Sequence, residues 1–338
     1  MAITIKDCET FGWTTDPNKL IARWSATGLI TALSAPGPYG SGNYARLANG
    51  GYLNTLAWMK SGKLLVEFSI NVAAFANTDV VRYKVDAVNT AFNLGVSGGG
   101  QMYFSDVHNG QVFFPANMVV GNWYRVQCTL VCGNPGTVYI WVNGNDITGG
   151  GYSTNLRYFG DYSPVTFFQF LYQNAADTLL SNLVWGFVDN AATDKFPADQ
   201  RAACVKPSAN SAVVWTPNGA GTNVACLTQA AEPDDDTTYN SSNVTGDQDL
   251  FSIVPPGLTG TINFASLKAI ARKDDAGAQF LQPSIKGANL QQGTSTGLGS
   301  NYQAIPYSTW PAQNNPSTGI PYTGPEVDAL KIGYRNNS

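Results

Sequence analysis

The chain has 338 residues, only 12% of them charged, and a formal net charge of −4 at pH 7. A chain of this length usually folds as two domains, and soluble domains typically carry about 25% charged residues. This acidic balance excludes an ordinary nucleic-acid-binding face, and no stretch reaches the roughly 18 apolar residues of a membrane span. The 35 glycines and the 12% aromatic content favour β structure with many turns.

Strands are predicted through the first half of the chain, where apolar and polar residues alternate with a period of two. His108, Asn109 and Gly110 separate two such runs, and Asn-Gly between alternating runs is a strong hairpin signal. The segment 133–136 separates a second predicted hairpin pair. The predicted strands are 63–75, 80–88, 90–97, 101–107, 111–119, 122–132, 137–144, 165–173 and 179–190.

This series predicts an all-β fold, with a jelly-roll sandwich over residues 1–190. The polar, small-residue segment 191–210 is interpreted as a linker, with one or two helical turns over 197–204. A second, smaller β-sandwich is predicted over 211–338. Near its end, 325–334 can form either a short helix or a final strand.

Four consecutive charges, Arg272-Lys273-Asp274-Asp275, form the densest charged run of the chain. Alternation from Leu267 to Arg272 predicts a strand that ends in a turn, with Gly277 available for positive φ. Residues 278–286 are predicted to return as the partner strand. The cluster is therefore interpreted as a solvated hairpin turn rather than a catalytic or metal site.

Catalytic chemistry finds little support in the residue pattern. The single histidine, His108, borders a predicted turn, and no nucleophile elbow occurs. Glycoside hydrolysis needs two carboxylates on one sugar, but Leu65, Ser69 and Asn71 share the predicted strand face of Glu67. We expect no catalytic residues and no cofactor, although residues distant in sequence could converge.

A metal site is not predicted either. The acidic segment 233–243 offers oxygen ligands for Ca²⁺ but lacks the fixed spacing of an EF-hand loop, so it is interpreted as a solvated loop. The five cysteines have no CxxC spacing, and Cys128 and Cys132 lie too far apart along a strand to bridge. Cys204 and Cys226 could pair in an oxidising compartment, whereas buried thiols are the ordinary interpretation.

Two stretches of the first half, 121–147 and 180–187, resemble laminin-G-like, concanavalin A-like jelly rolls. Such domains often place a strand that begins with tryptophan, a short turn, a strand ending in Val-Asn-Gly, and a late strand beginning near Asn-Leu. The resemblance implies the fold and leaves function open, because this fold serves lectins, adhesins, hydrolases and virion modules.

Three blocks of the second half, 236–253, 267–286 and 307–335, resemble in this order a module of tailed-bacteriophage virion proteins. The chain departs from the usual pattern where Pro311 follows Trp310 directly and where Tyr322 replaces a tryptophan. The resemblance implies a non-enzymatic structural component on the virion surface, assembled in the bacterial cytoplasm. The opening segment, which carries no secretory signal pattern, agrees with this.

The first functional hypothesis is therefore a capsid decoration or head-fibre protein that contacts the major capsid protein or other virion proteins. We expect a homo-oligomer, such as a trimer, because the Pro-rich run 306–325 suits an extended segment against a neighbouring subunit, or else against its own sheet edge.

The second hypothesis is a carbohydrate-binding tail-fibre or adhesin module, and a glycoside hydrolase is a distant third. Aromatic, amide and carboxylate side chains in one loop-rich segment are typical of glycan contacts. The candidate contacts are Tyr152, Asn155, Tyr158, Asp161 and Tyr162. We expect neither nucleic-acid binding nor membrane insertion.

Overall fold

The computed structural model describes residues 3–9, 27–33, 44–55, 61–106, 110–171, 178–188, 205–228, 236–262, 267, 269–305, 314–315 and 317–338. The chain divides into two compact units, residues 1–202 and 203–338. This division lies within the 191–210 segment, which is predicted to be a linker. His108, Cys204 and residues 229–235 lie outside the described residues.

The first unit contains β1 to β14 and, over its described residues, no helix. In chain order these strands are Ile3–Glu9, Thr27–Leu33, Tyr44–Asn54, Lys63–Val72, Thr78–Lys84, Thr90–Val96, Met102–Asp106, Gly110–Phe114, Trp123–Val131, Gly133–Val142, Asn145–Asp146, Tyr152–Leu156, Phe167–Leu171 and Thr178–Val188. The predicted all-β fold is confirmed.

The strands pair antiparallel along the path β11-β10-β9-β4-β14-β3-β13-β5-β6-β7-β8, with β12 also on β10. Phe68 of β4 packs edge to face on Phe170 of β13, with ring centroids 6.0 Å apart. These two strands therefore face each other across a core, and the sheet folds over between them. Two layers result. We call β3, β13, β5, β6, β7 and β8 the front layer, and β12, β10, β9, β4 and β14 the back layer.

The core between the layers is aromatic and aliphatic, as the alternation along each strand requires. Tyr83 of β5 meets Phe168 and Phe92 edge to face, and all three rings are fully or almost fully buried. The back layer contributes residues such as Val126 and Leu130, which are 0% exposed. Every second residue of these strands therefore points to an outer face.

Both hairpins predicted in this unit are confirmed. β7 and β8 pair with Asp106 opposite Gly110, and β9 and β10 pair with Val131 opposite Thr137. The predicted Gly-Asn-Pro-Gly turn, however, belongs to β10, which begins at Gly133.

Over its described residues, the second unit contains β15 to β26 and two short helices. The strands are Pro207–Ala212, Thr216–Asn218, Tyr239–Ser241, Gln248–Ile253, Thr261–Ile262, Ala269–Ala271, Phe280–Lys286, Leu290–Gln292, Thr296–Gly297, Gln303–Ile305, Tyr322–Thr323 and Lys331–Asn336. The helices are α1, Asn223–Thr228, and α2, Gly324–Asp328. The main sheet has the order β15-β18-β26-β21-β22, and β23 pairs with β21.

The alternatives for 325–334 both occur, because α2 is followed directly by β26. Helix α2 begins where the Thr323 backbone N–H donates to Glu326 Oε2 at 2.7 Å, and Pro325 suits a first helical turn. The buried cluster of this unit contains Ile253, Ile285, Tyr322, Val327 and Leu330.

The chain bends at residues 275–277, at the end of the charged run, but the predicted hairpin partner of the preceding strand is wrong. Strand β20, just before it, pairs with β24, whereas β21, just after it, pairs with β26. Ile285 of β21 belongs to the buried cluster of the unit, and this packing takes β21 into the main sheet. Gly277 is not in a positive-φ conformation, contrary to expectation.

The charged residues themselves support the turn. Asp275 Oδ2 accepts a hydrogen bond from Gln279 Nε2 at 2.9 Å. Arg272 pairs with Asp236 at 2.7 Å and lies 5.1 Å from the centroid of the Tyr302 ring. These contacts tie the acidic segment to the β20/β24 pair.

Cys128, Cys132 and Cys226 are free cysteines. Cys128 and Cys132 therefore do not bridge, as predicted, and Cys226 is a free thiol, whereas Cys204 lies outside the described residues. Burial raises the pKa of the Cys128 and Cys132 thiols to about 12, so both are protonated at neutral pH.

Candidate functional site

A continuous row of polar side chains crosses the outer face of the front layer. Each member lies directly opposite the next on the neighbouring strand, and the spacing of about 4.8 Å between strands gives the row a length of roughly 24 Å. The members, which we call the polar row, are Asn54, Gln169, Arg82, Asn93, Ser105 and Gln111.

The fold aims this row away from the core. Gln169 lies between Phe168 and Phe170, and Arg82 lies between Val81 and Tyr83. These four apolar or aromatic neighbours are 0% exposed, so alternation places Gln169 and Arg82 on the opposite, outer face.

Arg82 is the cation of the row. Its Nε donates to Asp79 Oδ2 at 2.9 Å, and the Tyr103 hydroxyl donates to Asp79 Oδ1 at 2.9 Å. Both oxygens of Asp79 are thus engaged, while the two Nη groups of Arg82 have no partner within the described residues. The side chain is 25% exposed, so an incoming acceptor can reach it.

The amides on either side of Arg82 differ in their hydrogen bonding. Gln169 Nε2 donates to Asn54 Oδ1 at 3.0 Å, which fixes that end of the row. Asn93 Oδ1, by contrast, is buried without a partner among the described residues. A buried acceptor of this kind needs a water or a ligand hydroxyl, since leaving it unsatisfied costs about 1–3 kcal/mol.

A pair of aromatic rings, one buried and one exposed, adjoins the β8 end of the row. The Tyr103 ring covers Gly95, where an added Cβ would lie only 2.2 Å from Tyr103 Cζ. Phe113 packs against Tyr103 with ring centroids 5.8 Å apart and remains 44% exposed. Gly95 thus leaves room for the Tyr103 ring, which is only 1% exposed, so Phe113 is the ring of this pair that a ligand can reach.

The outer face of the back layer carries a different polar group. Arg125 Nε and Nη2 donate to the two oxygens of Glu67 at 2.7 Å each, and Gln127 Nε2 donates to the same carboxylate. Burial raises the pKa of Glu67, although these donors oppose the shift. Glu67 is engaged in a closed ion pair and lies on the face opposite Asp79.

The five candidate glycan contacts lie at the edge of the back layer, apart from the polar row. Tyr152 of β12 packs edge to face on Phe114, with centroids 5.8 Å apart, at the edge of the core. Asn155 follows three residues later on β12, so its side chain points to the opposite face. Its Oδ1 is buried without a partner among the described residues.

Tyr158, Asp161 and Tyr162 belong to a tight turn. Tyr158 and Asp161 exchange backbone hydrogen bonds at 3.0 and 2.9 Å, and Phe159 and Gly160 between them have φ of 46° and 89°. Phe159 is 81% exposed and Tyr162 is 43% exposed. A large residue with positive φ is strained, and such strain is often found at functional positions.

Within the part of the chain that the structure describes, no three His, Cys, Asp or Glu side chains are grouped to hold a metal ion. Over the same residues, no helix is long and apolar enough to cross a bilayer.

No family model matches the chain, and no curated protein matches it. Among solved structures, domain 4 of AbnA, a GH43 extracellular arabinanase from Geobacillus stearothermophilus in complex with arabinotriose, is 12% identical with a TM-score of 0.40, covering 56% of this chain and 94% of that domain. The cellulose-induced protein Cip1 is 12% identical with a TM-score of 0.39, covering 55% and 97% of the two chains.

A conserved carbohydrate esterase from the Shiga toxin-encoding bacteriophage phi24B is 15% identical with a TM-score of 0.39, covering 55% of this chain and 100% of that chain. At these scores the similarities carry no functional information for this chain.

Sequence reasoning missed the polar row, the Arg82–Asp79–Tyr103 contacts and the exposed Phe159. The members of the row come from six strands spread over positions 54 to 169, so only the pairing register brings them together. Phe159 could have been found from the sequence. It precedes Gly160, and a residue followed by glycine is common at the two central positions of a tight hairpin turn.

Proposed function

We propose that this protein is a non-enzymatic component of a bacteriophage particle surface that binds carbohydrate through the polar row of its first unit. The observation that carries the binding proposal is the combination of Arg82 Nη donors and an unsatisfied Asn93 acceptor in one row, with the exposed Phe113 ring on β8 at the end of that row. Sugars are recognised by such planar polar groups next to an aromatic surface.

The non-enzymatic part of the proposal is supported by the two arginine-bound carboxylates. Glu67 and Asp79 lie on opposite outer faces, and an arginine engages each of them. A glycosidase requires two carboxyl groups about 5–9.5 Å apart on either side of one bond. The carboxyl groups of Glu67 and Asp79 cannot lie on either side of one glycosidic bond, because the sandwich core separates them.

The particle-surface part of the proposal rests on the three sequence blocks of the second unit and on their order along the chain. The ligand would then be a glycan on the host surface, and the homo-oligomer expected from the sequence would multiply weak single-site contacts into useful avidity. The major capsid protein or another virion protein would be the anchoring partner.

The turn at 158–162 supports a second candidate site for the same ligand class. Phe159 and Tyr162 expose two rings there, and the Tyr158 ring meets Phe159 edge to face with centroids 4.7 Å apart. The positive φ of the exposed Phe159 is the specific observation that favours this second site.

Titration of the full-length protein against a broad glycan panel tests both sites, with tryptophan fluorescence and calorimetry as readouts. We expect Arg82→Ala to weaken binding at least about tenfold if the polar row binds. Phe159→Ala, which lies outside the row, should leave that affinity unchanged, and the reverse pattern would assign binding to the turn. No binding by the wild-type protein to any glycan would refute the carbohydrate proposal.

A further inference from the structure

We infer that the polar row binds an extended, uncharged oligosaccharide of about five sugar units that lies across the strands. This inference rests on the proposed carbohydrate function and adds the size and charge of the ligand.

The length of the expected ligand follows from the pairing of the strands along the polar row. Six members lie opposite one another on successive strands, so the row has five intervals of about 4.8 Å. This interval is close to the length of one pyranose unit in an extended chain. An oligosaccharide running across the strands therefore meets successive polar side chains, of which Gln169 and Ser105 are only 9% exposed while Gln111 is exposed at the edge.

The charges indicate an uncharged ligand. Asn54, Gln169, Asn93, Ser105 and Gln111 are amides or hydroxyls, and the charge of Arg82 is balanced by Asp79 at 2.9 Å. A polyanionic chain would meet one paired cation and a neighbouring carboxylate over the whole row, so repeated negative charge gains nothing there.

The end of the row gives the sharpest test. Gln111 on edge strand β8 is exposed, so its side chain can contact only the last unit of a long chain. Removing it should affect the longest ligands and spare shorter ones.

The experiment is calorimetry of the full chain with cello-, malto- and xylo-oligosaccharides, each from the monosaccharide to the octasaccharide. A polygalacturonate ladder serves as the anionic counterpart. The Gln111→Ala variant is compared with Val88→Ala, a matched surface truncation at a residue that is 84% exposed and outside the row. Thermal unfolding verifies that both variants fold.

For a neutral ladder that binds, we expect affinity to rise about tenfold or more from the disaccharide to the pentasaccharide and then level off. Gln111→Ala should remove the gain from the fourth to the fifth unit, and Val88→Ala should not. Equal affinity for the monosaccharide and the octasaccharide, or stronger binding of polygalacturonate, would overturn this inference while the carbohydrate function stands. Binding of no sugar in these ladders or in the broad panel would overturn both.

Discussion

Arg125→Met should destabilise the first unit strongly, because it leaves the carboxylate of Glu67 buried without its cation. Glu67 is 3% exposed and receives two hydrogen bonds of 2.7 Å from Arg125. Among the described residues, Gln127 is then the remaining hydrogen-bond donor to Glu67. Breaking a buried ion pair on one side costs about 3–5 kcal/mol, whereas replacing both partners by apolar residues is often neutral. The Glu67→Leu/Arg125→Met double variant should therefore recover most of the lost stability.

The loss should also depend on pH. Burial raises the pKa of Glu67 above its ordinary value, so the folded state holds the proton more tightly than the unfolded state. Stability therefore falls as pH rises through the window between the ordinary and the raised value. Without Arg125 the pKa rises further, and the destabilisation should be small near about pH 4 and large near about pH 7.

Thermal and urea unfolding followed by tryptophan fluorescence at both pH values measures these differences. The wild-type chain and the double variant are the controls. A loss below about 1 kcal/mol, the range of a surface ion pair, would refute the burial argument. An equal loss at the two pH values would refute the assignment of the buried charge to Glu67.

Three further outcomes can be tested by substitution or labelling. Gly95→Ala should displace the ring of Tyr103, because the new Cβ lies 2.2 Å from its Cζ, and should cost about 1–3 kcal/mol in chemical denaturation; an unchanged midpoint would contradict the close packing. Phe159→Gly should keep or raise the melting temperature, because glycine accepts its φ of 46°; a clear loss would show that the ring stabilises the fold. Cys128 should resist iodoacetamide at about pH 8 in the native protein and react after unfolding, as read by mass spectrometry; native labelling would contradict its buried thiol.

In the second unit, Asp249→Ala should cost more than about 3 kcal/mol, because Asp249 is 2% exposed and accepts three hydrogen bonds. Two of them come from the backbone N–H groups of Val214 and Trp215, which the substitution would leave without an acceptor. Urea unfolding measures the change, and Asp274→Ala at the exposed turn is the matched control. Equal stability of both variants would contradict the role of Asp249.

The sequence predicted the features that depend on neighbouring residues. The hairpins β7/β8 and β9/β10 follow from alternation on either side of a turn, and their strands lie close in the chain. The bend at 275–277 is also local, and the sequence predicted a change of chain direction there. The partner of β20 was predicted wrongly, because β21 packs its Ile285 into the buried cluster of the second unit and β24 pairs with β20 instead.

The candidate site depended on information that one sequence does not contain. Glu67 and Arg125 are 58 positions apart, and their pairing follows from the register of β4 against β9. The polar row forms only if five pairs of strands all have the observed register. A shift of one residue in any pair would point a side chain of the row into the core. By contrast, the aromatic segment at 152–162 was visible in the sequence, since its residues are contiguous.

The most direct test of carbohydrate binding by the polar row is the affinity of the intact protein for neutral oligosaccharides, measured with and without Arg82→Ala. Binding that depends on Arg82, and that persists in Phe159→Ala, would support carbohydrate recognition by the polar row. A wild-type protein that binds none of the glycans, or that binds them equally well after Arg82→Ala, would contradict it.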